Sequence, residues 1–365
     1  MKFHRPRGTT LLPAFAISLV VGLHALPSQA ADGQGLAYVS NQNGELSVID
    51  LATMEVTGEF SSPGKEPRGL GVTADGKLLV TANRADGNIS VIDRVTGKLL
   101  RSIAIGKNPE FVRTRGQLAF VSFEPSSDGK PPPKPGSPEA MAAEKAKDDD
   151  DNKEPAYVAV VDLKQGKVLR RIKGGLETEG IEFSADGKHI LVTNEADDNV
   201  TVHSIATGKL VKTIDVKPYG DRPRGIKRAP DGKSYVATIE HGNKIVVIDS
   251  SYKIVKEVPT GDTPYGLAFD RGGERLFVAN AKSKTLQVYD AKTYETLKTV
   301  PTGERCWHFS FTPDDKQILL ACGRSNEVVV IDAATLEPIK HIADKKLPWG
   351  IVTYPKSVGS LDWPE

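Results

Sequence analysis

The stretch PYGLAFDRGGERLFVANAKSKTLQVYDAKTYETLKTV, residues 264–300, decides the fold. Tyr265–Phe269 is a short apolar run, and Asp270-Arg-Gly-Gly273 is a hairpin turn after it. Leu276–Asn280, Thr285–Tyr289 and Thr296–Val300 follow as three more runs of strand length. Val, Ile, Thr and aromatic residues in runs of this length suit a pleated surface. Four such strands in one unit make one blade of a propeller.

The unit recurs along the chain. An apolar triplet ending in Asp, usually Val-Ile-Asp, places Asp at 50, 93, 162, 249, 290 and 332, with Ser204 in the missing slot. The spacings are 43, 69, 42, 45, 41 and 42. Seven copies near 43 residues, one of them carrying about 26 extra, predict a seven-bladed array. Ala74-Asp-Gly76, Ala185-Asp-Gly187 and Pro230-Asp-Gly232 are hairpin turns of the tight Asp-Gly kind. The ends predict closure. Leu36-Ala-Tyr-Val-Ser begins where a blade's second strand belongs, and the missing first strand is Pro348–Thr353 at the other end. The expected fold is all-β, a seven-bladed β-propeller of four antiparallel strands per blade. The C-terminal strand completes the first blade and leaves no long open edge.

Tyr38-Val-Ser-Asn41, Leu191-Val-Thr-Asn194 and Phe277-Val-Ala-Asn280, framed by Pro-x-Gly and Thr-Gly-Lys, resemble the YVTN-family (YncE-like) seven-bladed propeller repeat. The likeness covers nearly all of the chain after the first thirty residues. It implies a secreted or periplasmic binding or interaction scaffold. Similar propellers include haem d1-binding domains, lactonases and proteins that serve quinone-dependent oxidation. The repeat itself carries no catalytic residues to transfer.

Composition narrows the rest. The 365 residues hold 48 Lys+Arg against 47 Asp+Glu, so the strong basic excess of a dedicated nucleic-acid protein is absent and no nucleic acid is expected as partner. Two cysteines rule out a Cys-rich metal framework, and no CxxCH is present for a covalent haem. No G-x-S-x-G, HExxH or Walker sequence appears. Lys2, Arg5 and Arg7, the apolar run Leu11–Leu26 and the small residues Ser28 and Ala30 read as a Sec-type signal peptide, residues 1–30. Pro13 and His24 interrupt that run, which argues against an uncleaved anchor. Domain 31–365 is then the propeller, a periplasmic or secreted monomer with no membrane span after cleavage.

In a repeat protein the departures from consensus are the candidates for function. The middle residue of each Pro-x-Gly element, at one mouth of the central channel, reads Arg68, Glu110, Glu179, Arg224, Tyr265, Trp307 and Trp349. Two arginines can clamp an anion and three aromatics can stack on a flat ligand, so a small anionic or aromatic ligand is one expected partner. The alternative is that the Arg and Glu pair with one another and plug the channel. Blade 7 replaces Pro and Gly with Cys306 and His308; His308 is a candidate haem ligand, metal ligand or base, or a hydrogen-bonded interface residue. Arg84, Glu124, Glu195, Glu240, His241 and Arg324 lie in second-to-third-strand loops on the same face and form a polar rim.

Pairing Thr312 with Gln317 across the blade 7 turn puts Cys306 opposite Gly323 and within one residue of Cys322, so a disulfide is expected over a Cys306/His308 metal or haem site. The insertion, residues 126–154 in blade 3, carries Pro131-Pro-Pro133 and Asp148–Asp151. Its eight acidic and five basic residues cannot bury enough apolar area to order it. The functional expectation is a non-catalytic scaffold that binds a periplasmic protein or small ligand at the channel mouth. A redox-associated propeller binding a cofactor such as haem d1 stands second. A lactonase-like hydrolase using Glu110, Glu179 or His308 as base stands third.

Overall fold

The computed structural model describes residues 1–2, 35–61, 64–126, 138, 154–344 and 346–364. The proposed signal peptide and nearly all of the blade 3 insertion lie outside these residues; its ends are pinned where Ser126 Oγ donates to the Glu154 carbonyl at 2.9 Å. Among the described residues no helix is long and apolar enough to cross a membrane.

The chain forms seven antiparallel sheets of four strands each. The inner strands are Pro67–Val72, Pro109–Arg115, Thr178–Phe183, Pro223–Arg228, Pro264–Phe269, Cys306–Phe311 and Pro348–Tyr354, and each packs against its two neighbours in cyclic order. The last of them pairs with Leu36–Asn41, so both ends of the chain build blade 1. Strands two and three of each blade are buried almost end to end, whereas the outer strands are exposed at most positions. The core therefore lies between blades, as two-sided burial of the inner strands requires.

The repeat motifs have local structural reasons. The Asp that ends the third strand is a turn-former: Asp332 Oδ1 accepts from the backbone of Ala334 at 3.0 Å and Thr335 at 2.7 Å, and Asp290 does the same for Lys292 and Thr293. The Asn that ends the second strand latches the next loop. Asn41 Nδ2 donates to the Glu45 carbonyl at 2.8 Å and Ser47 Oγ at 2.9 Å; Asn83 and Asn194 bond equivalent residues. Blade 7 has Cys322 in that slot, and a disulfide to Cys306 takes the latch's place.

The channel is not left open. After Tyr354 the chain turns and runs back up the inside of the ring along Cys306–Phe311. Phe311 N donates to Val358 O at 2.9 Å and Ser360 N to Phe309 O at 2.9 Å. Leu361 is buried against Leu70 and Gly350, and Arg113 donates to its carbonyl at 3.0 Å. Lys227 reaches the Asp362 carbonyl at 3.3 Å, and Lys356 pairs with the Asp362 carboxylate at 3.1 Å. Arg113 is itself held by Glu182 at 2.9 Å. The C-terminal segment is a plug fixed by charges that line the bore.

Candidate functional site at the channel mouth

Three tiers of side chains build the mouth. The residue before each inner strand is Glu66, Asn108, Glu177, Arg222, Thr263, Arg305 or Leu347, and all seven are left-handed, with φ between 47° and 63°. This conformation turns the carbonyl towards the loop after strand two. Arg84, Glu195, Glu240, Ala281, Gly323 and Gln42 each donate a backbone N–H to it at 2.9–3.1 Å. Blade 3 departs, its Glu124 N–H reaching Lys107 O instead at 3.0 Å. The inner strand then slips register by one residue between its first and fourth positions, as at Pro67/Leu70 and Pro109/Val112. That bulge sets the Pro-x-Gly middle residues at the mouth.

The register slip also corrects the expected cysteine pairing. Cys306 lies directly opposite Cys322, not Gly323, because the bulge at Trp307 absorbs one residue. The rim needs a second adjustment. Arg84, Glu124, Glu195 and Glu240 are equivalent, while His241 and Arg324 lie one residue further out; the blade 7 counterpart is Gly323.

The tiers divide the mouth into two arcs. Blades 2 to 5 carry the glutamates and the arginines that pair with them. Arg68 pairs with Glu110, and Arg84 with Glu66 at 2.6 Å. Arg224 pairs with Glu179, with Glu195, and with Glu240 at 2.6 Å. Arg222 adds bonds to Glu195, to Glu177 at 2.9 Å and to Glu240 at 3.4 Å. Burial opposes ionisation of Glu179, but Arg224, with hydrogen bonds from Glu195 and Tyr265, holds it well below the usual carboxylate range. Burial pushes Glu195 well up, against Arg222 and Arg224, and the Glu179 charge adds to the rise. The pairing alternative holds for Arg68 and Arg224, which are not free to clamp an anion. His241 is half-buried, and burial lowers its basicity despite Glu240.

Blades 6, 7 and 1 carry aromatics and small residues. Arg224 lies over the Tyr265 ring, 4.8 Å from its centroid, joining the two arcs. Trp307 is half-buried and lies over Gly323, where a Cβ would sit 1.9 Å from the indole; any other residue there would displace the ring. Arg305 is half-buried and Arg324 exposed, and neither guanidinium has a carboxylate partner among the described residues.

His308 lies one step down the bore, 1% exposed, with Nδ1 3.1 Å from Ser360 Oγ of the plug. Trp349, Tyr265 and Phe111 wall it in, with ring centroids at 4.4, 5.5 and 6.1 Å. Burial lowers its pKa to about 3, so the ring is neutral. Nε2 is buried without a partner. A flat macrocycle at the mouth does not reach this nitrogen with the three rings in place, so the residues present do not fit axial ligation of haem. Among the described residues no three His, Cys, Asp or Glu side chains are placed to hold a metal ion.

Sequence reasoning missed Glu177, Arg222 and Arg305, which precede the Pro-x-Gly slot and read as loop residues. Their signal was the alternation across the slot, as in Arg222-Pro-Arg224 and Glu177-Thr-Glu179. It also missed the plug.

Residues 15–118 match the family model of the YNCE-like beta-propeller, and residues 156–253 match that of the lactonase seven-bladed beta-propeller. No curated protein matches the chain. Among solved structures, the chain is similar to the Kuenenia stuttgartiensis hydrazine synthase at 21% identity and a TM-score of 0.68, covering 87% of this chain and 99% of that one. The dihydro-heme d1 dehydrogenase NirN aligns at 18% identity and a TM-score of 0.63, over 91% of this chain and 78% of that one. A functionally unknown protein from Desulfotomaculum acetoxidans aligns at 15% identity and a TM-score of 0.68, over 87% and 98%. At these identities the likeness establishes the fold alone. The chain is a seven-bladed β-propeller whose residues 15–118 are similar to the YNCE-like propeller.

Proposed function

We propose that the chain is an exported, non-catalytic binding scaffold whose ligand or partner docks on the channel-mouth face. The observation that carries this reading is the commitment of the mouth's reactive groups to one another. Glu110 and Glu179, the carboxylates a hydrolase would use as base, are held by Arg68 and Arg224, and His308 is neutral and enclosed. What the mouth offers outward is a fixed mosaic of Trp307, Arg305 and the Arg–Glu lattice, and preorganised surfaces bind at low entropic cost. The Cys306–Cys322 disulfide supports an oxidising compartment, in keeping with the expected N-terminal export signal. The test is a photo-crosslinking amino acid placed at Thr263 of the mouth or at Val255 on an outer strand, in cells of the native host. Adducts from the mouth position alone support the reading. Equal adducts from both positions, or none, defeat it, and turnover of a lactone panel by the purified protein would move it to the hydrolase class.

A further inference from the structure

Glu195 and Glu240 each hold two guanidiniums, whereas Glu124, at the same position of blade 3, holds none among the described residues. The residue is nonetheless only 6% exposed. It lines a cavity of about 40 Å³ between blades 3 and 4 with Ser126, Glu154, Glu177, Ala156, Leu176 and Ala196. The nearby cations are already engaged, Arg68 by Glu110 and Arg222 by Glu177, Glu195 and Glu240. Glu110 Oε2 is also buried without a partner.

We propose that this cavity is a site for a primary ammonium group on an alkyl stem, either a small free amine or a lysine side chain of a docked protein. The inference rests on the mouth as the binding face and names a chemistry for part of it. The cavity has room for one ammonium or a water or two. The acidic lining residues Glu124, Glu154 and Glu177 suit the donors of an ammonium, and Ala156, Leu176 and Ala196 suit its methylenes. An incoming cation supplies the partner that Arg222 and Arg224 give the equivalent glutamates. Burial, then the charges of Glu110, Glu177 and Glu179, keep Glu124 well above the usual carboxylate range, with Arg68 opposing. An ammonium favours the ionised carboxylate, so its binding is linked to proton release and tightens as pH rises until the amine itself deprotonates.

The test is calorimetric titration of the full chain with n-butylamine, with the peptide acetyl-Gly-Lys-Gly-amide and with its arginine counterpart, at pH 6 and pH 8, in buffers of different ionisation enthalpy. The expected result is binding of an amine with proton release, tighter at pH 8, and weakened at least tenfold in Glu124→Gln. Ala196→Leu, which fills the cavity without touching a charge, gives the same loss and guards against a folding defect in the first variant. Binding of butylamine alone assigns a free amine as ligand; binding of the lysine peptide assigns a partner's lysine. No binding of either, binding unchanged in both variants, or equal binding of the arginine peptide overturns the site. Crosslinks at the mouth combined with no amine binding would overturn this inference and leave the scaffold reading standing.

Discussion

The C-terminal plug is tested most directly by Leu361→Ala. Leu361 is 1% exposed inside the ring. Its methyl groups meet Leu70 and the backbone of Gly350, where a Cβ would lie 2.8 Å from Leu361 Cδ1. Both neighbours belong to inner strands fixed by sheet hydrogen bonds on one side and by adjacent blades on the other, so the walls cannot collapse into the space left behind. Buried Leu→Ala changes cost about 2–5 kcal/mol, the upper half applying where the cavity persists. We expect a loss of about 3–4 kcal/mol. The main-chain anchors at Leu361 O and Asp362 O are untouched by the substitution, so the loss reports packing alone. Urea unfolding followed by tryptophan fluorescence measures it, as a lower midpoint with an unchanged slope. Hydrogen exchange at the Phe311 and Ser360 amides, which bond across the plug, supplies the local readout. A change under about 0.5 kcal/mol is what an exposed position gives. That result, with fast exchange at both amides, would mean the segment does not reside in the channel.

Three further outcomes are expected. Cys306→Ser with Cys322→Ser removes a cross-link of 16-residue separation and lowers stability by about 3 kcal/mol in urea; thiol alkylation of the unreduced wild type should label neither cysteine. His308, lowered to about 3 in the folded state from an ordinary value of 6.5, refuses a proton that the unfolded chain accepts below pH 6.5. Stability therefore falls as pH drops through that window, by about 1.4 kcal/mol per unit from this group, and His308→Gln flattens the decline between pH 6 and 4; parallel curves for the two proteins would refute it. Arg224→Met leaves Glu179 and Glu240 short of their cation and costs about 3–5 kcal/mol, with partial recovery when Glu179→Met is added. Failure of the double variant to recover in urea titrations would mean the lattice is not held by charge.

The propeller was legible because its determinants are local and repeated seven times. Val-Ile-Asp marks the third strand and its turn, Asn closes the second, and the distribution of strands between the two ends dictates how the ring shuts. The Cys306–Cys322 contact was legible to within one residue, and the error has a cause: pairing was extrapolated from the Thr312–Gln317 turn through a bulge that no residue type announces. The mouth was half legible. Its members were found from the Pro-x-Gly slot, but their pairing depends on side-chain reach across blades, which spacing does not encode. Arg222 was missed because it looks like a loop residue, although its left-handed backbone places it among Glu177, Glu195 and Glu240. The plug was illegible because residues 355–364 obey no repeat. Its hold comes from Arg113, Lys227 and Leu70, far away in sequence, acting largely on carbonyl oxygens that every residue possesses.

The pairing of Leu36–Asn41 with Pro348–Tyr354 has a consequence in time. The first strand to emerge during synthesis waits more than 300 residues for its neighbour, with one edge bare throughout. Blades 2 to 7 can each assemble from contiguous chain, but blade 1 cannot be finished until Pro348–Tyr354 has arrived, nor the channel stoppered until Val358–Asp362 has followed. Closure of the ring is a single late event that depends on Pro348–Tyr354. A chain that stopped short of Pro348 would stall with six blades made and the seventh open to any strand that meets it.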